Sequence, residues 1–352
     1  MKKLFALLIG MTAMFSLSAA GVAGAAPSAT SNTGVTPQGT IYKEVPKGVD
    51  LSLNVEVMPG PGETTLKPMI NATTQLPELS FNPDPKMPVC TEITEANSNF
   101  PPATAISMCP NSVIGEGVSD LYLAQQVAAL ITDPVITVFN GGANNQGGGI
   151  MAIHAYSAFT NHGIFMSGEL KNGELSVDIP RLTADSSVPS YTYDIPGVAG
   201  QTKDYVQATC KTGTWTTSAE ITLGKRNEQG QVSDEEVLDT PEQNQACTGA
   251  AGKPKLKVTK VKAKGKVKAN KKGTFKVTVK NSGTATAKKV KLTGKGAASG
   301  SSGVGNLAPG KTKTYTKKFK VKGKKGKKVT VKVQAKGSNS NASTGKTKVK
   351  LK

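Results

Sequence analysis

Hydrophobic and polar residues alternate singly along much of this chain, most regularly between Gly273 and Val321. Phe275, Val277 and Val279 interleave with Lys276, Thr278 and Lys280; Asn281-Ser282-Gly283 then turns the chain, and Val290 and Leu292 again stand among lysines. Leu307-Ala308-Pro309-Gly310 makes a second turn before Phe319 and Val321 resume the pattern. A period of two puts successive side chains on opposite faces of a strand. One face is therefore Val/Phe and the other Lys, which predicts a small antiparallel β domain over residues 255–352.

Upstream, the same signal recurs from Ile41 to Cys247, a length that allows one substantial core. Leu51–Val57 alternates cleanly, and Val135–Phe139 reads as a strand buried on both faces. Ile150–Phe159 and Ile164–Leu170 follow, and Lys171-Asn172-Gly173-Glu174 predicts a hairpin turn into Leu175–Ile179. Tyr191–Ile195, Tyr205–Cys210 and Trp215–Leu223 complete the strands. The run 121–131 fits either a three-turn helix or a strand pair, and its strand-like surroundings favour strands. The expectation is an all-β chain: a β-sandwich head over 41–247, a linker over 248–254, and a second sandwich over 255–352.

The turns of the C-terminal stretch carry a likeness. V-x-N-x-G-x-x-x-A (Val279, Asn281, Gly283, Ala287), a V-x-L strand (Val290, Leu292) and L-A-P-G-x-x-x-x-Y (Leu307, Pro309, Gly310, Tyr315) resemble the CARDB domain. This is the immunoglobulin-like "cell adhesion related domain found in bacteria", and the likeness spans roughly residues 254–337. It implies an Ig-like sandwich; a shared fold does not by itself assign a function. The layout of the head, a Cys-Pro step, then Thr-Cys, Gly-Thr-Trp and a final Cys, resembles uncharacterised secreted actinobacterial proteins and implies no activity.

The N-terminus carries Lys2 and Lys3, an apolar run to about Leu17, and Ala23-Gly24-Ala25. That is a signal peptide over residues 1–25, cleaved before Ala26. Residues 26–40 are small, polar and Pro/Gly-bearing, and read as a disordered spacer. Four cysteines, Cys90, Cys109, Cys210 and Cys247, all lie in the head. An even count in an exported chain points to disulfides. The pairing expected is sequential, Cys90–Cys109 closing a Pro-rich loop and Cys210–Cys247 tying a core strand to the end of the head. No C-x-x-C spacing supports a zinc site. The mature protein is expected to be secreted, without an integral membrane anchor, and with no LPxTG-type sorting signal.

Charge changes the picture most. Residues 254–352 contain 31 Lys and no Arg, His, Asp or Glu, which leaves −11 for the rest of a chain of net charge +20. Without carboxylates the C-terminal domain offers no Ca²⁺ ligands and no acid to promote a self-formed Lys–Asn isopeptide bond. Lys without Arg supplies point charges rather than bidentate forks, which favours diffuse over specific recognition. Lys276, Lys280, Lys289, Lys291, Lys318 and Lys320 are the candidate polyanion-binding residues. The expected partners are anionic cell-wall or extracellular polymers and, without sequence preference, DNA. Base stacking is unsupported, since the only aromatics of the domain are Phe275, Tyr315 and Phe319, and both Phe fall on the apolar face.

The head offers little catalytic chemistry. GxSxG, HExxH and phosphate-loop motifs are missing from the head, residues 41–247. His154 and His162 are the only histidines, and His154 reads as a strand histidine on a polar face. The Gly-rich run Asn140–Gly149 lies between strands and reads as a hairpin tip. Asp178, Asp185 and Asp194 fall near strand ends, where a pair of acids could serve glycoside chemistry only if brought together. Trp215, the single Trp, reads as core beside the Cys210 disulfide. No catalytic, metal-binding or cofactor residues are assigned. The reading is a non-enzymatic, adhesion-type surface protein that binds polyanions through its Lys-rich domain. The alternative is a secreted polysaccharide hydrolase with a catalytic head and an accessory Ig-like tail.

Overall fold

The computed structural model describes residues 26–81, 87–144, 148–181, 186–196, 205–227 and 229–352. The expected signal peptide, residues 1–25, and Asp185 lie outside them. The head strands are β1 (Ser28–Pro37), β2 (Lys47–Met58), β3 (Met69–Gln75), β4 (Leu79–Phe81), β5 (Val113–Tyr122), β6 (Leu130–Ile131), β7 (Val135–Ala143) and β8 (Gly149–Ser157). They continue with β9 (His162–Lys171), β10 (Glu174–Asp178), β11 (Ser187–Ile195), β12 (Val206–Ala208), β13 (Thr214–Arg226), β14 (Val232–Asp239) and β15 (Gln243–Ala246).

All fifteen belong to one antiparallel sheet, with a main path β14-β13-β3-β10-β9-β8-β7-β5-β11-β2-β12-β4. The sheet folds over so that its inner faces meet. Ile136 and Tyr193 on one side and Ile164, Met166 and Val177 on the other enclose an apolar cavity of about 40 Å³. The two ends of the sheet also approach each other. β1 pairs with β2 along one edge. Along its other edge Thr33 N–H donates to Gln243 Oε1 at 3.1 Å and Val35 N–H to Gln245 Oε1 at 2.9 Å, while Gln245 Nε2 donates back to Val35 O at 2.7 Å. Glutamine side chains thus satisfy an edge that would otherwise be open.

β1 corrects the expectation of a disordered spacer over 26–40. Ala29, Ser31, Thr33 and Val35 are buried in alternation, so the period of two is present but written mostly in small and hydroxylated residues. Elsewhere the expected pattern holds. Asn172 and Gly173 both take positive φ, 54° and 81°, at the tight turn between β9 and β10. The run 121–131 is a strand pair, with Leu121 opposite Ile131, around a short 3₁₀ turn at Leu123–Gln125.

Both expected disulfides form, Cys90–Cys109 and Cys210–Cys247. The first closes a segment that includes a short helix, α1 (Pro102–Met108), not expected from the Pro-rich sequence. The segment lies over the outer face of β7 and β8, where Ile93, Ala105 and the disulfide pack with Phe139 and Ala152 in a satellite core. β7 is therefore covered on both sides from Ile136 to Phe139, where four consecutive residues are buried, whereas Val135 at its start is exposed.

The C-terminal domain has its own core and two four-stranded sheets. Its strands are β16 (Leu256–Ala263), β17 (Lys272–Asn281), β18 (Ala287–Gly296), β19 (Ala298–Ser299), β20 (Ser301–Leu307), β21 (Thr312–Val321), β22 (Lys328–Lys336) and β23 (Ser343–Lys350). One sheet runs β16-β17-β21-β19 and the other β20-β18-β22-β23. Phe275, Val277, Val279, Leu292, Phe319, Val331 and Val333 fill the space between them.

Asn281, fully buried, joins three turns of this domain. Its Oδ1 accepts from Lys255 N–H at 3.0 Å and Gly283 N–H at 3.1 Å, and its Nδ2 donates to Ala285 O at 2.8 Å and Leu307 O at 2.9 Å. Gly283 is required beside it, because a Cβ there would lie 2.2 Å from the Lys253 carbonyl oxygen.

The segment between the domains is pinned on both sides. Ala250 N–H donates to Ile41 O at 2.8 Å, Lys43 N–H to Ala250 O at 3.4 Å, and Thr284 N–H to Lys253 O at 2.9 Å. Glu44 of the head accepts from Thr286 of the tail through both Oγ1 (2.5 Å) and N–H (2.8 Å). The Thr286 hydroxyl, then its amide, holds the Glu44 carboxyl below the usual carboxylate range.

Asn281→Ala removes all four side-chain hydrogen bonds and leaves their partners in a dry turn. It is expected to destabilise the C-terminal domain by about 3–5 kcal/mol, whereas the exposed Lys280→Ala is expected to change it by less than about 0.5 kcal/mol. Scanning calorimetry separates the domains, with Trp215 fluorescence marking the head's transition. Equal, small effects from both substitutions would show that Asn281 is not the hub.

Candidate polyanion-binding surface

Strand register decides which lysines act together. On the β16-β17-β21 face, Lys257 lies opposite Lys280, Lys262 opposite Lys276, Lys260 opposite Thr278, Lys318 opposite Thr274, and Lys320 opposite Lys272. These eight lysines are all exposed, with only Thr residues interleaved. The opposite sheet repeats the arrangement: Lys291 faces Lys336, Lys295 faces Lys332, Lys328 faces Lys350, Lys332 faces Lys346, and Lys348 faces Thr330.

The six candidate lysines are consequently divided. Lys276 and Lys280 of β17 stand beside Lys318 and Lys320 of β21 on one face, whereas Lys289 and Lys291 belong to β18 in the other sheet. Lys289 sits at a bulge with φ 48°, its N–H donating to Asn306 Oδ1 at 2.9 Å. Lys257, Lys260, Lys262 and Lys272 share the face of the first four but were not among the six. Alternation reveals which residues point outward within a strand; only pairing reveals which strands share a sheet.

Several of these lysines meet another lysine directly across the ladder, an arrangement that is unfavourable by a few tenths of a kcal/mol per pair or more. With no carboxylate in the domain, the repulsion has no internal counterweight.

The head residues considered for chemistry do not converge. His154 is completely buried, a correction to its expected place on a polar face. The disulfide-bonded segment covers it: Phe100 stacks on its ring at 5.2 Å, and Nε2 lies 2.9 Å from Ser98 O. A carbonyl partner requires Nε2 to carry the proton, and burial pushes the imidazole pKa down, so the ring is neutral near pH 7. His154 pairs with Phe165 and His162 with Ser157; the odd offset between these positions sends the two imidazoles to opposite faces of the sheet.

Asp178 pairs with Arg226, and Asp194 lies opposite Ser52 and Glu116 on a strand of the other layer. The inward neighbours of the two acids, Val177 and Tyr193, face each other across the core, so the carboxylates point away from one another. Trp215 is core, as expected, donating Nε1–H to Thr209 O at 2.7 Å. Cys90, Glu92 and Cys109 cluster within metal-ligand distance of one another, but both sulfurs are in the disulfide. Asn140 opens the Gly-rich hairpin between β7 and β8. It is buried, and its Nδ2 donates to Pro88 O at 3.0 Å.

Residues 253–347 match the CARDB family, in agreement with the resemblance carried by the Asn281 and Pro309-Gly310 turns. The match covers the C-terminal domain only. No curated protein matches the chain, and the likeness of the head to actinobacterial secreted proteins has no support. Among solved structures, red sea bream transglutaminase is 10% identical with a TM-score of 0.24, over 92% of this chain and 31% of that one. The chain thus spans about a third of the length of that protein, and so low a score carries no argument. An all-β chain with two disulfides and an adhesion-related domain fits a secreted surface protein. Among the described residues, no helix is long and apolar enough to cross a membrane.

Raising NaCl from about 0.02 to 0.3 M is expected to raise the melting temperature of the C-terminal domain more than that of the head, because screening relieves its self-repulsion. Lys320→Glu, which faces Lys272, is expected to stabilise the domain by about 0.2–1 kcal/mol at the lower salt and by less at the higher. Calorimetry at both salts checks this; equal salt shifts for the two domains would contradict it.

Proposed function

We propose that the protein is a non-enzymatic, exported surface protein whose Lys-rich Ig-like domain binds anionic polymers of the cell wall or extracellular matrix by charge. The observation that supports this is the outward face of the β16-β17-β21 sheet, where eight exposed lysines stand on a rigid ladder with no carboxylate among them. Sheet geometry repeats side chains on one face every ~6.8 Å along a strand and every ~4.8 Å across strands, close enough to follow a polymer with one charge per repeat unit. Lys heads are mobile point charges, so the surface accommodates teichoic-type polymers, acidic polysaccharides or DNA with little discrimination. The head, tied to the tail through Glu44 and Thr286, is then displayed at the wall.

For double-stranded DNA as a probe, log K is expected to fall linearly with log salt by roughly 0.9 per phosphate neutralised. Engagement of one sheet face gives a slope of about −4 to −7. Changing Lys276, Lys280, Lys318 and Lys320 to Gln is expected to flatten the slope by up to about 3–4, and changing Lys289 and Lys291 by no more than about 2. The fold should be retained, since the core-facing neighbours are untouched. Binding that persists in about 1 M salt, or a strong preference among polymers of equal charge density, would contradict an electrostatic mechanism.

A further inference from the structure

On the head, the outer surface of β2, β11 and β5 is an open sheet face of the opposite sign. Cross-strand register sets Glu56, Ser190 and Asp120 in one row, Asn54, Thr192 and Val118 in the next, and Ser52, Asp194 and Glu116 in a third. Directly opposed residues share a face, so four carboxylates and no Lys or Arg project from these nine positions. The adjoining outward residues of β1, Thr30, Asn32 and Gly34, add no positive charge. Ser190 Oγ donates to Asp120 at 2.6 Å and holds that carboxylate in place. Tyr122 registers the local field: burial first, then the charges of Asp120 and Glu56, raise its hydroxyl pKa.

The face is not simply polar. Val118, Leu130 and Met58 are 53%, 49% and 42% exposed and, with Tyr122, Glu56 and Asp120, line a surface groove of about 430 Å³. Apolar walls bearing carboxylates suit a long amphipathic cation, whose methylene stem covers the walls while its ammonium group reaches the acid. Lysine is that side chain, and this chain carries 31 of them on a domain with no acid of its own.

We propose that this acidic face is the docking surface for the Lys-rich sheet of a second copy of the chain, so that copies associate head to tail. The tail of the same copy is tied to the segment that precedes β2, by the Ala250–Ile41 and Glu44–Thr286 hydrogen bonds. Among the described residues, the ion pairs Lys67–Glu236, Lys225–Asp234 and Arg226–Asp178 all lie within the head, and none joins the two domains. Both faces are antiparallel sheets with the same strand spacing and the same side-chain repeat. Lysines and carboxylates therefore project at multiples of the same basic spacings. The contact joins two different surfaces, so repetition builds a chain of molecules or closes into a ring.

The test uses the mature protein from Ala26, by sedimentation velocity over a range of concentrations. At about 0.02 M salt the average mass is expected to rise with concentration, and at about 0.3 M to return to that of the monomer. Two charge-reversed variants are needed: Glu56→Lys/Glu116→Lys/Asp120→Lys/Asp194→Lys on the head, and Lys276→Glu/Lys280→Glu/Lys318→Glu/Lys320→Glu on the tail. Each alone is expected to stay monomeric at the lower salt. Their equimolar mixture is expected to associate, because the intact lysines of the first meet the intact carboxylates of the second. Circular dichroism checks folding, and a neutral head variant (Glu56→Gln, Glu116→Gln, Asp120→Asn, Asp194→Asn) is expected to weaken association at least tenfold should reversal disturb the sheet. A wild-type protein that remains monomeric at low salt, a folded head variant that associates like wild type, or a mixture that stays monomeric would overturn the proposal. The head variants keep every tail lysine, so polymer binding and self-association succeed or fail separately.

Discussion

A domain that carries 31 positive charges and no negative one must be held together from inside. Its surface cannot contribute ion pairs, and cross-strand pairs such as Lys272–Lys320 and Lys291–Lys336 oppose folding. What remains is the apolar filling between the two sheets and the buried side chain of Asn281. Four hydrogen bonds from that one amide close three turns, and Gly283 beside it lets the chain from the head pass within contact distance. The same residues carry the CARDB likeness. The motif is thus a fastening that leaves the outward positions free to become lysine.

The head solves a different problem. One long antiparallel sheet has two faces and two ends to satisfy. Folding over buries the inner face, glutamine side chains of β15 close the edge of β1, and the disulfide-bonded segment around α1 covers the outer face of β7 and β8. The outer face of β2, β11 and β5 is left open, and it is acidic. The junction through Glu44 and Thr286 ties the tail to the segment that precedes β2. The head thus presents an acidic sheet face and the tail a basic one.

Much of this was legible in the chain. Strands such as Leu51–Val57 and the Asn172-Gly173 turn announce themselves because large apolar residues mark the period and positive φ demands particular residues. β1 was hidden because Ser31 and Thr33 occupy buried positions usually filled by Val or Ile. His154 was misplaced because what buries it is a distant segment, and alternation within β8 says nothing of a second cover. The six lysines were assigned one role although register divides them between two sheets, and strand order is set by long-range pairing rather than by local pattern. The Glu44–Thr286 contact, spanning 242 residues, had no sequence signal at all.

The central claim is that the lysine field of the tail is unsatisfied until an anionic partner arrives. A ligand that binds only the folded tail stabilises it by RT ln(1 + [L]/Kd), about 2.7 kcal/mol at a hundredfold excess over Kd. The direct measurement is calorimetry of the mature protein with increasing linear polyphosphate, compared with NaCl of equal ionic strength. The account predicts that the tail's transition rises well beyond the salt control while the head's, followed by Trp215 fluorescence, does not. A polyphosphate effect no larger than that of matched salt would contradict it.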